Sequence, residues 1–134
     1  VSSGATVLTG GERLGSTGWF YAPTVLADIP DSAEIRLEEA FGPVASVYRV
    51  ASVEDAIALA NVTRFGLGSA VWTQDDDEAD RCVRGLDAGA VFVNGMTISY
   101  PELPFGGVKA SGYGRELAAE GIRAFCNLKT VWVR

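Results

Sequence analysis

Histidine is absent from the 134 residues. That excludes Ser-His-Asp and Cys-His catalysis within the chain, imidazole metal sites and a histidine pH switch. Cysteine is nearly absent. Cys82 and Cys126 have no C-x-x-C spacing and are too few for a disulfide framework, so a reducing cytoplasm is the expected compartment. Basic residues are scarce: eleven Lys and Arg face seventeen Asp and Glu, for a net charge of -6. This argues against nucleic acid and anionic membranes as main partners. No apolar run approaches the roughly 18 residues of a membrane span, and no basic-then-apolar signal segment opens the chain. The one methionine is Met96 and the first residue is Val1, so a longer gene product is expected.

What is present is globular. Hydrophobic residues make up 48% and charged residues 21%, and sixteen glycines outnumber five prolines, which excludes disordered and collagen-like classes. A chain of this length forms one domain or a piece of one, and it can bury roughly two-thirds of its unfolded surface.

Ala5 to Leu8 and Phe20 to Leu26 are strand candidates, the second broken by Pro23. Val44 to Val50 is apolar and β-branched, a third strand. Ser52 then opens a helix as N-cap, with Glu54 and Asp55 in its first turn. Ser69 to Thr73 and Gly89 to Asn94 are further strands, separated by a helix from Asp75 to about Asp87. Its four leading acids suit the positive end of a helix dipole better than a cation site. The pattern predicts an α/β fold, a parallel β-α-β-α-β arrangement with helices on both faces in three layers. Ligands of such sheets collect at the C-terminal strand ends, here Asn94 and the long loop Gly95 to Gly114. A helix from about Glu116 to Phe125 leads to a terminal strand, Lys129 to Val133, whose open edge suits a neighbouring subunit. Cys82 recurs with Ala79, Val83 and Leu86, and Cys126 with Ile122 and Phe125. Both are expected as small apolar residues on buried faces.

Two segments are more specific. Glu38-Glu39-Ala40-Phe41-Gly42-Pro43-Val44 precedes Leu103-Pro104-Phe105-Gly106-Gly107-Val108-Lys109-Ala110-Ser111-Gly112 and Gly114-Arg115-Glu116. In this order, about sixty residues apart, they resemble the C-terminal part of the aldehyde dehydrogenase superfamily, and the likeness covers essentially the whole chain. Asn94-Gly95-Met96 and Phe125 to Trp132 further resemble the NAD(P)-dependent succinate-semialdehyde dehydrogenases of bacteria. The resemblance implies residues 1–127 as the C-terminal part of the catalytic domain and 128–134 as an oligomerisation strand. It also implies a cytoplasmic enzyme portion with NAD or NADP as cofactor and a small aldehyde as substrate. A second copy, or the missing N-terminal portion, would be the protein partner.

By the same resemblance, Glu39 holds the nicotinamide ribose, since one carboxylate accepts bonds from two vicinal hydroxyls. Without the motif it is a solvated acid beside Glu38. Phe41 packs near the nicotinamide end or serves as a core aromatic, and these are not exclusive. Phe105 lines the aldehyde tunnel. Ser99 donates to the far carboxylate of succinic semialdehyde, against the plainer reading of a loop serine bonding its own backbone. Ile98 and Tyr100 border the same tunnel. Lys109 lies beside glycines but outside any G-x-x-x-x-G-K-[ST] spacing, which excludes a phosphate-binding loop.

No residue here matches the superfamily's nucleophilic cysteine or its general base, and no metal site is expected. The chain alone is therefore expected to be inactive. Two alternatives stay open: a non-catalytic oligomerising module or split-gene remnant, and an enzyme portion for another semialdehyde or aldehyde.

Overall fold

The computed structural model describes residues 4–134. They form two compact units, divided between Ala56 and Ile57.

The first unit is built on a three-stranded sheet of β1 (Thr6–Thr9), β2 (Thr24–Ala27) and β3 (Val44–Ser46). β1 runs antiparallel to β2, with an irregularity between Val7 and Thr9. β3 runs parallel to β2, pairing Thr24 with Val44 and Leu26 with Ser46. Pro23 cannot donate to a ladder, and the regular strand starts one residue later. Ala5, Leu26, Ile29 and Ala33 form the core, with Val7, Ile35, Val44 and Tyr48 packed against it. Thr24 is buried, and its hydroxyl is satisfied twice: it donates to the Ala22 carbonyl and accepts from the Gly11 amide, both at 2.8 Å.

Helix α1 (Val53–Ala60) crosses the boundary between the units in sequence. Its predicted cap is present: Ser52 Oγ accepts from the Asp55 amide at 3.1 Å. The second unit continues with β4 (Phe65–Gly66), β5 (Gly68–Val71), α2 (Asp76–Gly85), β6 (Ala90–Val93), β7 (Val108–Lys109) and α3 (Ala118–Ala124). β5 and β6 pair in parallel across the α2 crossover, from Gly68 with Ala90 to Val71 with Val93. β4 and β7 form a separate antiparallel pair. The acids at the α2 start do helix work. Asp75 caps the Glu78 amide at 3.0 Å, and the Thr73 hydroxyl donates to the Glu78 carboxylate at 2.6 Å.

Three expectations need correction. Among the described residues the predicted single parallel β-α-β-α-β sheet does not form: β3 pairs in parallel with β2 in the first unit, and β5 pairs in parallel with β6 alone in the second. Hydrophobic pattern located Val44 as strand, but the Thr24 amide, 2.8 Å from the Pro43 carbonyl, chose its partner. The stretch after Asn94 is not one irregular loop, since it contains β7 and a bridge between Phe105 and Glu116. Cys82 is buried as expected, but Cys126 is exposed, because its neighbours Ile122 and Phe125 are exposed too and offer no interior. Among the described residues, 127–134 carry no strand ladder, and Leu128, Val131, Trp132 and Val133 are exposed.

Candidate functional site

Glu39 and Phe41 lie together in the first unit, on the segment between a 3-10 turn (Glu34–Arg36) and β3. The turn is tied down by Arg36, which donates to Asp31. Beyond Glu39 the backbone closes on itself twice: Gly42 N–H donates to the Ala40 carbonyl and Val44 N–H to the Gly42 carbonyl, both at 2.8 Å. Pro43, through its bond from Thr24, fixes the end of the segment to the sheet. The side chains themselves point to solvent. Glu39 is exposed and Phe41 is 94% exposed, so Phe41 is not a core aromatic. A carboxylate and an aromatic ring two residues apart, on a braced segment, form an accessible pair of a hydrogen-bond acceptor and a flat apolar surface.

Phe105 belongs to the second unit and borders a cavity of about 370 Å³. One wall is β6, Ala90 to Val93, and the other is Ile98, Tyr100, Leu103, Pro104 and Phe105. Tyr100 meets Phe92 of β6 with ring centroids 6.4 Å apart and planes tilted by 36°, a favourable aromatic geometry. The Phe105 backbone is clamped by Glu116: each amide donates to the other's carbonyl at 2.8 Å. Pro101 is held in the same way, its carbonyl accepting from the Ala118 amide at 3.0 Å. Ile98, Tyr100 and Phe105 are thus brought together around one cavity. Ser99, between two lining residues, is exposed and is not itself part of the lining.

Glycine makes the floor behind Phe105 possible. A Cβ on Gly89 would overlap the carbonyl oxygen of Gly106, and a Cβ on Gly106 would stand 2.7 Å from the carbonyl oxygen of Gly114. Arg115 spans the turn, its guanidinium donating to the carbonyls of Gly107 at 2.9 Å and Gly114 at 2.6 Å. Asn94, at the end of β6, is a brace. Its side-chain amide donates to the Thr73 carbonyl at 2.8 Å and accepts from the Thr73 amide at 3.0 Å. Phe92 and Asn61 escaped the sequence reading. Phe92 lies in a continuous apolar run, Ala90 to Val93, that signals a strand but not a pocket, and Asn61 has no motif at all.

The clearest charge perturbation lies away from the cavity, on α2. Arg84 donates to Asp80 at 2.8 and 2.9 Å and holds its carboxyl below the usual carboxylate range, while Asp80 raises Arg84. Among the described residues no cluster of three or more His, Cys, Asp or Glu is placed to hold a metal, and no helix is long and apolar enough to cross a membrane.

These features define a portion of a known class. Residues 1–131 match the model of the aldehyde dehydrogenase family, and the chain belongs to that family. Its sequence is 59% identical over 132 residues to the NADP(+) succinate-semialdehyde dehydrogenase 1 of Mycobacterium ulcerans, covering 98% of this chain and 29% of that protein. The fold is similar to the succinic semialdehyde dehydrogenase of Streptococcus pyogenes, solved with NADP+, at a TM-score of 0.91 and 38% identity. That match covers 98% of this chain and 29% of the other. An NAD-dependent aldehyde dehydrogenase of Sinorhizobium meliloti is similar at a TM-score of 0.86 and 43% identity, over 92% of this chain and 25% of the other. The chain spans less than a third of the length of these relatives.

Proposed function

We propose that this chain is the C-terminal portion of an NAD(P)-dependent aldehyde dehydrogenase that oxidises succinic semialdehyde to succinate in the cytoplasm. The observation that carries the reading is the 59% identity to the Mycobacterium ulcerans enzyme across nearly the whole chain. In this reading the nucleophilic cysteine and the general base come from outside these residues.

The residues present fit a dinucleotide at one end. The exposed Glu39 carboxylate has free access to both hydroxyls of a ribose, and the exposed Phe41 ring offers a face for the nicotinamide. When bound, the cofactor supplies the hydride acceptor. The cavity beside Phe105 provides an apolar wall that orients the carbon chain of the aldehyde and excludes water. Ser99 donates its hydroxyl to the distal carboxylate at the rim. Residues 128–134 form an oligomerisation strand once a partner edge is supplied. The outward-facing Leu128, Val131 and Trp132 support that role.

A chimera tests the reading. The upstream part of the Mycobacterium ulcerans relative is joined to residues 1–134 in place of its own matching segment. The expected result is reduction of NADP+ dependent on succinic semialdehyde, with none from the 134-residue chain alone. A folded chimera without that activity, or turnover by the chain alone, overturns the proposal. For the terminal strand, sizing of the chain and of a version shortened before Lys129 should show a loss of mass beyond the residues removed. An unchanged association state counts against it.

A further inference from the structure

Lys109 is a motif cation without a part in the reading above, and it sits at a junction. Its Nζ donates to the backbone carbonyls of Asn61 at 2.9 Å and Thr63 at 3.4 Å, and lies 3.4 Å from the Asp87 carboxylate. Asn61 joins the same corner from the other side. Its side-chain amide donates to the Gly85 carbonyl at 2.7 Å and accepts from the Asp87 amide at 2.8 Å. The connections after α1 and after α2 are thereby tied to β7 through one ammonium group. The Lys109 backbone itself stands at φ 54. A lysine keeps that left-handed conformation only where its surroundings over-determine it.

The tie bears directly on Phe105. Lys109 pairs with Phe65, and Val108 with Gly66, in the β4–β7 ladder. Gly66 in turn accepts from the Gly89 amide at 3.0 Å, which sets Gly89 against the Gly106 carbonyl with no room for a side chain between them. From β7 back to Phe105 there are only the two glycines 106 and 107, which have no side chains to hold themselves in place. The geometry points to Lys109 as a positioning residue: by drawing the carbonyls of Asn61 and Thr63 onto β7, it fixes the Gly106–Gly107 segment and hence the wall made by Phe105. The functional meaning of that wall rests on the aldehyde reading. The mechanical claim does not, and it is tested without substrate.

The test is amide hydrogen exchange by NMR on the 134-residue chain, with the Phe105 ring resonances as a second signal. Lys109→Met keeps the aliphatic stem and removes the ammonium. The Phe105 and Glu116 amides should exchange about tenfold faster and the Phe105 ring signals should shift, while the Asn94 amide in the β5–β6 ladder changes less than about twofold. Lys109→Arg, which can still donate to both carbonyls, should restore the Phe105 amide to within about threefold of the parent. Unchanged exchange at Phe105, equal acceleration at Asn94, or no rescue by arginine overturns the assignment. Should Lys109→Met not fold, Asp87→Ala removes only the ion pair. It should accelerate Phe105 by about threefold with Asn94 unmoved, and no acceleration there overturns the assignment equally. Loss of aldehyde turnover in the chimera with these exchange results intact would mark failure of the functional reading alone.

Discussion

The carbonyl oxygen of Gly106 occupies the place where a side chain on Gly89 would begin. This contact brings the start of β6 and the turn behind Phe105 within backbone distance. Gly89→Ala must therefore move one backbone away from the other rather than displace a flexible side chain. The expected loss is about 3 kcal/mol of stability, at the upper end for overpacking. A urea denaturation midpoint that moves by less than the equivalent of about 1 kcal/mol would show that the two segments separate easily.

Ser99 is the test of substrate class. In the active chimera, Ser99→Ala should raise KM for succinic semialdehyde about tenfold with kcat little changed, the loss of one hydrogen bond to a charged group. An uncharged aldehyde of similar length should be unaffected. Equal losses on both substrates would assign Ser99 to the loop backbone.

The two thiols should separate cleanly. Cys126 is exposed and Cys82 is buried, so a colourimetric thiol reagent should titrate one cysteine in the folded chain and the second only after denaturant is added. Rapid reaction of both in buffer would show that α2 opens readily.

Ala118 begins α3 at φ 48, a conformation that favours glycine. Ala118→Gly should stabilise the chain by up to about 1 kcal/mol, the relief of left-handed strain less the added freedom of the unfolded state. Thermal unfolding checks it, and a lowered midpoint would mean that the alanine methyl contributes more than its backbone costs.

The Asp80–Arg84 pair adds a pH-dependent contribution. The guanidinium of Arg84 lowers its folded-state pKa below the unfolded value. The pair's contribution is therefore present above the ordinary carboxylate range and is lost as pH falls through the lowered folded value. Asp80→Asn should lower the melting temperature slightly at pH 7, less so in high salt, and the difference should close in strong acid. A difference that persists in strong acid would point to packing rather than charge.

Local signals were legible in the residues. Ser52 and Asp75 begin their helices because capping joins groups three residues apart, and Pro23 delays its strand because its nitrogen has no proton. The motif around Phe105 drew attention to a residue that shares a cavity with Ile98 and Tyr100. The same reading buried Cys126 and placed β3 in the wrong sheet. Helical spacing says which residues share a face, not whether anything covers it. Strand pattern marks a strand, but its partner is chosen by backbone groups far away in sequence.

By itself, then, the sequence determined the family, the mixed α/β character and the starts of α1 and α2. The helix starts are a matter of neighbours within a turn, and the family is carried by the residue types of two motifs about sixty residues apart. Only the tertiary structure decided that Lys109 donates to a carbonyl 48 residues away, and that Gly89 lies against the carbonyl oxygen of Gly106, next to Phe105. Those roles arise where distant backbone groups meet. An ammonium beside two backbone carbonyls and a glycine beneath a carbonyl oxygen acquire their meaning from that meeting.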